Sequence, residues 1–311
     1  MLEINFSKKS IRGTLASQIV RLTKALVIKN PIVSEANFGK LYSTSLSPNF
    51  KFPKYVDSQW IHYKTATMEW IRNPKIPCRN VILQMHGGAY VKSLNDTYRR
   101  SAIKYLNISH GANVFSLDYR VAPLHPFPAA LDDALAAYEY LLQNGFDHNR
   151  IIVVGDSAGG GLALALVMKL RDTQQPLPKA IITMSAWTDL AGEGESYLRN
   201  QSLDPMLGQN TLPLKHNDYV GNNDIKNPYI SPAYGSFEGF PTLMMHVGSH
   251  EVLESDTLTV AKKASDVGVD VKVTIYKGMF HVFQLAFDLI PEAKKAWKEI
   301  ANFFDTHFNA C

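Results

Sequence analysis

The 311-residue chain is poor in cysteine, holding only Cys78 and Cys311. These form neither a CxxC pair nor a disulfide framework, which excludes a cysteine-built zinc site and gives no sign of an oxidising compartment. A strong excess of one charge is also lacking. Lys and Arg number 32 against 28 Asp and Glu, a net charge of +4. The Lys8-Lys9, Lys262-Lys263 and Lys294-Lys295 pairs are scattered, so no basic groove for nucleic acid is expected. The opening Met-Leu-Glu-Ile-Asn lacks the basic-then-apolar order of a signal peptide. Long apolar runs are missing too. Ile11, Leu15, Ile19, Leu22 and Leu26 recur at helical spacing, but Arg12, Arg21 and Lys24 interrupt them. The stretch is too short and too charged to span a bilayer. It predicts an amphipathic helix packed on the protein, with peripheral membrane contact as the sharper alternative. A soluble, cytoplasmic chain without stable membrane insertion is expected.

What is present is apolar residue in quantity. Hydrophobic residues make up 46% and charged residues 19%, enough for a sizeable core. The length fits one large α/β domain. Short apolar runs at Asn80–Met85, Asn113–Leu117, Ile151–Val154, Ala180–Met184, Thr242–Val247 and Val271–Tyr276 read as strands. Helical stretches fall among them at Tyr98–Ser109, Ala129–Gln143, Gly161–Arg171, Asp256–Val267 and Pro291–Phe304. This alternation predicts crossover units and a mostly parallel sheet. No internal repeat or low-complexity segment interrupts it. Residues 1–50 and about 191–239 fit the rhythm poorly, and long irregular segments in a compact domain are usually functional. Both are expected to form a helical lid over a catalytic domain spanning 51–311.

The sharpest signal is Gly155-Asp156-Ser157-Ala158-Gly159, which follows the run Ile151–Val154 and opens a helical stretch. Gly-x-Ser-x-Gly between strand and helix is the pattern of a nucleophile elbow. The flanking glycines allow a tight turn that lifts the serine hydroxyl above the sheet. The helix N-terminus sets its free N–H groups beneath developing negative charge. A phosphate-binding loop would need Gly-Lys-Ser/Thr, and a dinucleotide site Gly-x-Gly-x-x-Gly; neither is here. A second turn, His86-Gly87-Gly88-Ala89, follows the run Val81–Met85. Gly87, Gly88 and Ala158 are candidate N–H donors to an oxyanion.

A serine nucleophile needs a base, and the base needs an orienting carboxylate. In chain order, only His216, His246, His250, His281 and His307 follow Ser157. His281 sits in a loop just past Val271–Tyr276, where a catalytic imidazole belongs. His246 reads as a core residue, His216 as part of the lid and His307 as surface. His246, His250 and Glu251 mimic metal-ligand spacing, but that spacing works on a helix and Gly248 argues for a strand end. Glu251, Glu254 and Asp256 are the candidate acids beyond Thr242–Val247, with Glu251 first in position and Asp256 the second choice.

Taken together, several pieces resemble the hormone-sensitive-lipase-like (bacterial type IV) carboxylesterases of the α/β-hydrolase superfamily. They are His86-Gly87-Gly88-Ala89, Asp118–Pro123, His125–Ala130, Gly155–Gly160, Trp187-Thr188-Asp189-Leu190 and Gly278–Phe283. The resemblance implies an α/β-hydrolase fold and hydrolysis of short- to medium-chain esters through an acyl-enzyme. It implies nucleophile Ser157, base His281 and oxyanion donors Gly87, Gly88 and Ala158. The family's acid position falls on Glu251, three residues after Gly248 and thirty before His281. Family members often carry Asp-Pro-Leu where this chain has Glu251-Val252-Leu253, which keeps Asp256 open as the acid. Asp118 and Arg120 are expected to pair and hold their loop beneath the site. Tyr90, Trp187 and Phe283 are expected as substrate-binding pocket walls. No cofactor and no metal is required; the expected partner is a small-molecule ester, and a homodimer is left open. An amide or formamide hydrolase on the same triad is the alternative, and a non-catalytic ligand receptor a third.

Overall fold

The computed structural model describes residues 2–29, 45–208 and 218–308, with the side chains of the first helix described through Thr23. Nine strands form one sheet: β1 (Leu2–Ser7), β2 (Asp57–Tyr63), β3 (Ala66–Arg72), β4 (Val81–Met85), β5 (Asn113–Leu117), β6 (Ile151–Asp156), β7 (Ala180–Met184), β8 (Thr242–Gly248) and β9 (Val271–Tyr276). Their order is β1-β9-β8-β7-β6-β4-β5-β3-β2. Only β2–β3 and β3–β5 pair antiparallel. All other pairs are parallel.

The helices are α1 (Ile11–Lys29), α2 (Asp96–Ile108), α3 (Ala129–Gln143), α4 (Ala158–Asp172), α5 (Ser196–Arg199), α6 (Glu254–Asp266) and α7 (Pro291–His307). Alternate residues of the central strands feed two cores. Val81, Leu83, Ile151 and Val153 pack with α3, α4 and α6 on one face. Ile82, Ile152 and Val154 pack with α2 and α7 on the other. A sheet covered on both faces needs apolar side chains pointing both ways, hence the unbroken apolar runs.

Three features depart from expectation. The first residues are not lid: β1 joins the sheet parallel to β9, Leu2 opposite Val271 through Ser7 opposite Tyr276. Its alternating, half-polar side chains suit an edge strand and give no buried run to read. The β2–β3 hairpin was also unmarked. Its turn passes through Lys64 at φ 51 with no glycine or asparagine to signal it. A third difference concerns Cys78, which is engaged in a disulfide. No cysteine spacing in the sequence signalled it.

The parallel register brings the strand ends to one edge. Met85 lies beside Gly155, Asp156 beside Met184, Met184 beside His246, and Gly248 beside Tyr276. The loops leaving these ends therefore converge, as they do at the carboxyl edge of open α/β sheets.

Candidate active site

Ser157 occupies the single residue between β6 and α4, at φ 52 and ψ −123. A non-glycine residue held there is strained, and the surrounding packing keeps it so. A Cβ on Gly155 would come 2.2 Å from the Gly159 carbonyl oxygen, and one on Gly159 would come 2.2 Å from that of Met85. The elbow can thus close, and press against the end of β4, only with glycine at both places.

His281 Nε2 lies 2.9 Å from Ser157 Oγ, and its Nδ1 lies 3.0 Å from Glu251 Oε2. These three side chains come from separate loops, after β6, β8 and β9. Glu251 is fully buried and His281 nearly so. The other Glu251 oxygen accepts from the Gly248 N–H at 2.5 Å and from Ser185 Oγ at 2.8 Å. Asp256, the second choice, faces elsewhere: its carboxylate accepts from the Thr188 and Asp189 amides at 2.7 and 2.8 Å. Glu254 instead meets Arg199 and Asn200.

Sequence reasoning did not find Ser185. Its hydroxyl donates to Glu251 and accepts the Val282 N–H at 3.1 Å, so it ties the acid to the loop bearing the base. The one available signal was its place directly after the apolar run that forms β7.

The Gly88 amide of the second turn and the Ala158 amide of the elbow make no hydrogen bond among the described residues. Gly87 departs from expectation. Its N–H is already given to Tyr98 Oη at 2.7 Å, which leaves nothing for an oxyanion. The expected pocket walls differ as well. Tyr90, Trp187 and Phe283 are each 2% exposed or less. Tyr90 stacks on Tyr219 at 3.8 Å, Trp187 donates to the Asp189 carbonyl, and Phe283 packs against Tyr276. Large aromatic surfaces are better buried against one another than left to a pocket. Asp118 and Arg120 do not pair either. Arg120 forks onto buried Asp133, and Asp118 accepts from the Leu94 amide.

Of the remaining histidines, His246 is fully buried within 3.2 Å of Glu299, His307 ends α7, and His216 lies outside the described residues. Among the described residues no group of three His, Cys, Asp or Glu could hold a metal ion. No helix among them is long and apolar enough to cross a membrane.

Burial disfavours the His281 cation, but Glu251, Asp204 and Asp156 outweigh it and hold the imidazole above its ordinary value. Burial also pushes the Glu251 carboxyl up, against the pull of its bond to His281. Asp156, beside the nucleophile, is pushed up to about 7 by burial.

A twisted parallel sheet with a strained serine at its carboxyl edge defines an α/β hydrolase. The chain matches the family described as alpha/beta hydrolase fold over residues 82–285, and belongs to it. Within that fold it belongs with the hormone-sensitive-lipase-like esterases. It is 37% identical over 241 residues to an acetyl-hydrolase of Streptomyces hygroscopicus, covering 78% of this chain and 80% of that one. It is 35% identical over 225 residues to an esterase of Acinetobacter venetianus, covering 72% and 74%. A crystal structure of a hormone-sensitive lipase from a metagenome library superposes with a TM-score of 0.85 at 31% identity, covering 97% of this chain and 100% of that one. An esterase from the bacterial hormone-sensitive lipase family gives 0.83 at 31% identity, with the same coverage.

Proposed function

We propose that this protein is a serine carboxylesterase acting on short- and medium-chain esters through an acyl-enzyme. The observation that carries the reading is the unbroken relay from buried Glu251 through His281 to the strained hydroxyl of Ser157. His281 Nε2 takes the Ser157 proton as Oγ attacks the ester carbonyl. The negative charge on the carbonyl oxygen is met by the unpaired amides of Gly88 and Ala158. The imidazolium then gives its proton to the departing alcohol. A water, deprotonated by the same nitrogen, attacks the acyl-serine and releases the acid. Glu251 keeps Nδ1 protonated and steadies the cation.

The lid reading is supported by α1 and residues 191–208, since Arg21 of α1 donates to the Leu203 carbonyl at 2.9 Å. Leu198 and Leu203 of that segment are exposed. Ser157→Ala, assayed on p-nitrophenyl butyrate, is expected to lose roughly a thousandfold or more in turnover. Undiminished turnover would refute the reading.

A further inference from the structure

We propose that Tyr98 and Asp156 are a positioning pair that locks the Gly87-Gly88 turn to the nucleophile elbow and so sets the height of the oxyanion donors. This rests on the esterase reading above. Tyr98 stands in the first turn of α2, whose N-terminus is capped by Asn95 accepting the Thr97 N–H. Its hydroxyl takes the Gly87 N–H at 2.7 Å and gives its own proton to Asp156 Oδ2 at 2.9 Å. Tyr98 and Asp156 are both buried. One oxygen therefore joins three elements: the turn after β4, the start of α2, and the residue preceding Ser157.

The fit around Gly87 is tight. A Cβ there would lie 2.5 Å from Asp156 Oδ2, 2.9 Å from Tyr98 Oη and 3.1 Å from Ser157 Cβ. The turn is held from behind as well, because Tyr119 Oη donates to the His86 carbonyl at 2.7 Å. Fixing the peptide ahead of Gly87 fixes where the next amide, that of Gly88, points. An oxyanion donor displaced by a fraction of an ångström loses much of its worth in the transition state and little in the ground state.

The pair also has an electrostatic signature that packing alone lacks. Asp156 faces Tyr98 and Tyr105 from α2, Tyr119 from the loop after β5, and His281 from the loop after β9. Of these only His281 can be cationic, and the charge of Asp156 helps hold the imidazole above its ordinary value. Removing that charge lowers the imidazole's pKa over the range in which Asp156, pushed up to about 7 by burial, is ionised.

The test compares wild type, Tyr98→Phe and Asp156→Asn on p-nitrophenyl butyrate across the pH range, with a thermal unfolding midpoint for each. Tyr98→Phe is expected to lower kcat roughly 10- to 100-fold while KM stays within about twofold. Asp156→Asn keeps an oxygen to accept from Tyr98, so its kcat should fall less. The acid limb of its kcat/KM profile should move to lower pH. An unchanged kcat in folded Tyr98→Phe, or an unmoved acid limb in Asp156→Asn, overturns the proposal. If Tyr98→Phe does not unfold cooperatively, the Asp156→Asn profile decides alone. Ser157→Ala run beside them separates the two levels: if it keeps its activity, the esterase reading itself fails.

Discussion

The hydroxyl of Ser185 carries no chemistry in the reaction, yet its proton and one of its lone pairs are committed to the triad's support. It donates to Glu251 and accepts the amide next to His281. Its own backbone is held at φ 51, with its N–H given to the His246 carbonyl at 2.7 Å. Ser185→Ala would leave one carboxylate oxygen with the Gly248 amide alone and free the His281 loop. We expect kcat/KM to fall roughly tenfold, with an unfolding midpoint close to wild type, read from steady-state rates and a thermal melt. A second expectation concerns pH. The base works only when neutral, and its surroundings hold His281 above the ordinary imidazole value. The rate should thus fall as pH drops, with the midpoint of kcat/KM above that of a free imidazole. A midpoint at or below it would show that burial, rather than Glu251, dominates.

At the scale of elements, the elbow depends on how closely α4 approaches the end of β4. Gly159 meets backbone there, at the Met85 and His86 carbonyls, so no side chain can rotate away to make room. Gly159→Ala should lower the unfolding midpoint by about 5 °C or more, or abolish soluble expression. An Ala variant that is stable and fully active would mean that the helix can slide. The loop from Asp118 to α3 is fixed differently. Arg120 binds Asp133, which is fully buried in α3, through its side chain and its own amide. Asp133→Ala strands that amide and half-exposed guanidinium, and is expected to cost roughly 1–3 kcal/mol of stability by chemical denaturation.

Over the whole molecule, one buried polar contact spans the sheet and its covering helix. His246 of β8 and Tyr276 of β9 both reach Glu299 of α7, Tyr276 donating at 2.9 Å. Burial alone would raise the Glu299 carboxyl, but His246, Tyr276 and Thr274 outweigh it and hold it down at about 2. A carboxyl depressed on folding contributes stability above its unfolded value, and that stability is lost as pH falls toward the folded one. The unfolding midpoint should therefore decline as pH drops from the ordinary glutamate value of 4.5 toward about 2. Glu299→Gln should flatten part of that decline, and an unaltered slope would place the acid sensitivity elsewhere.

The central strands were legible because a sheet covered on both faces demands continuous apolar runs, and those runs ended in the glycine turns that carry the site. Ser157, with its flanking glycines, was legible for the same local reason: a strained turn between strand and helix admits few residues. Those features follow from neighbours in sequence. The edge strand β1 and the β2–β3 hairpin were not read as strands, since half-exposed strands carry no continuous apolar run and Lys64 does not advertise a turn. Nor could sequence say that Gly87 already gives its amide to Tyr98, or that Ser185 grips Glu251. Such bonds join residues far apart along the chain, and a hydrogen bond of a few ångströms exists only once the sheet has fixed the register that brings its loops to one edge.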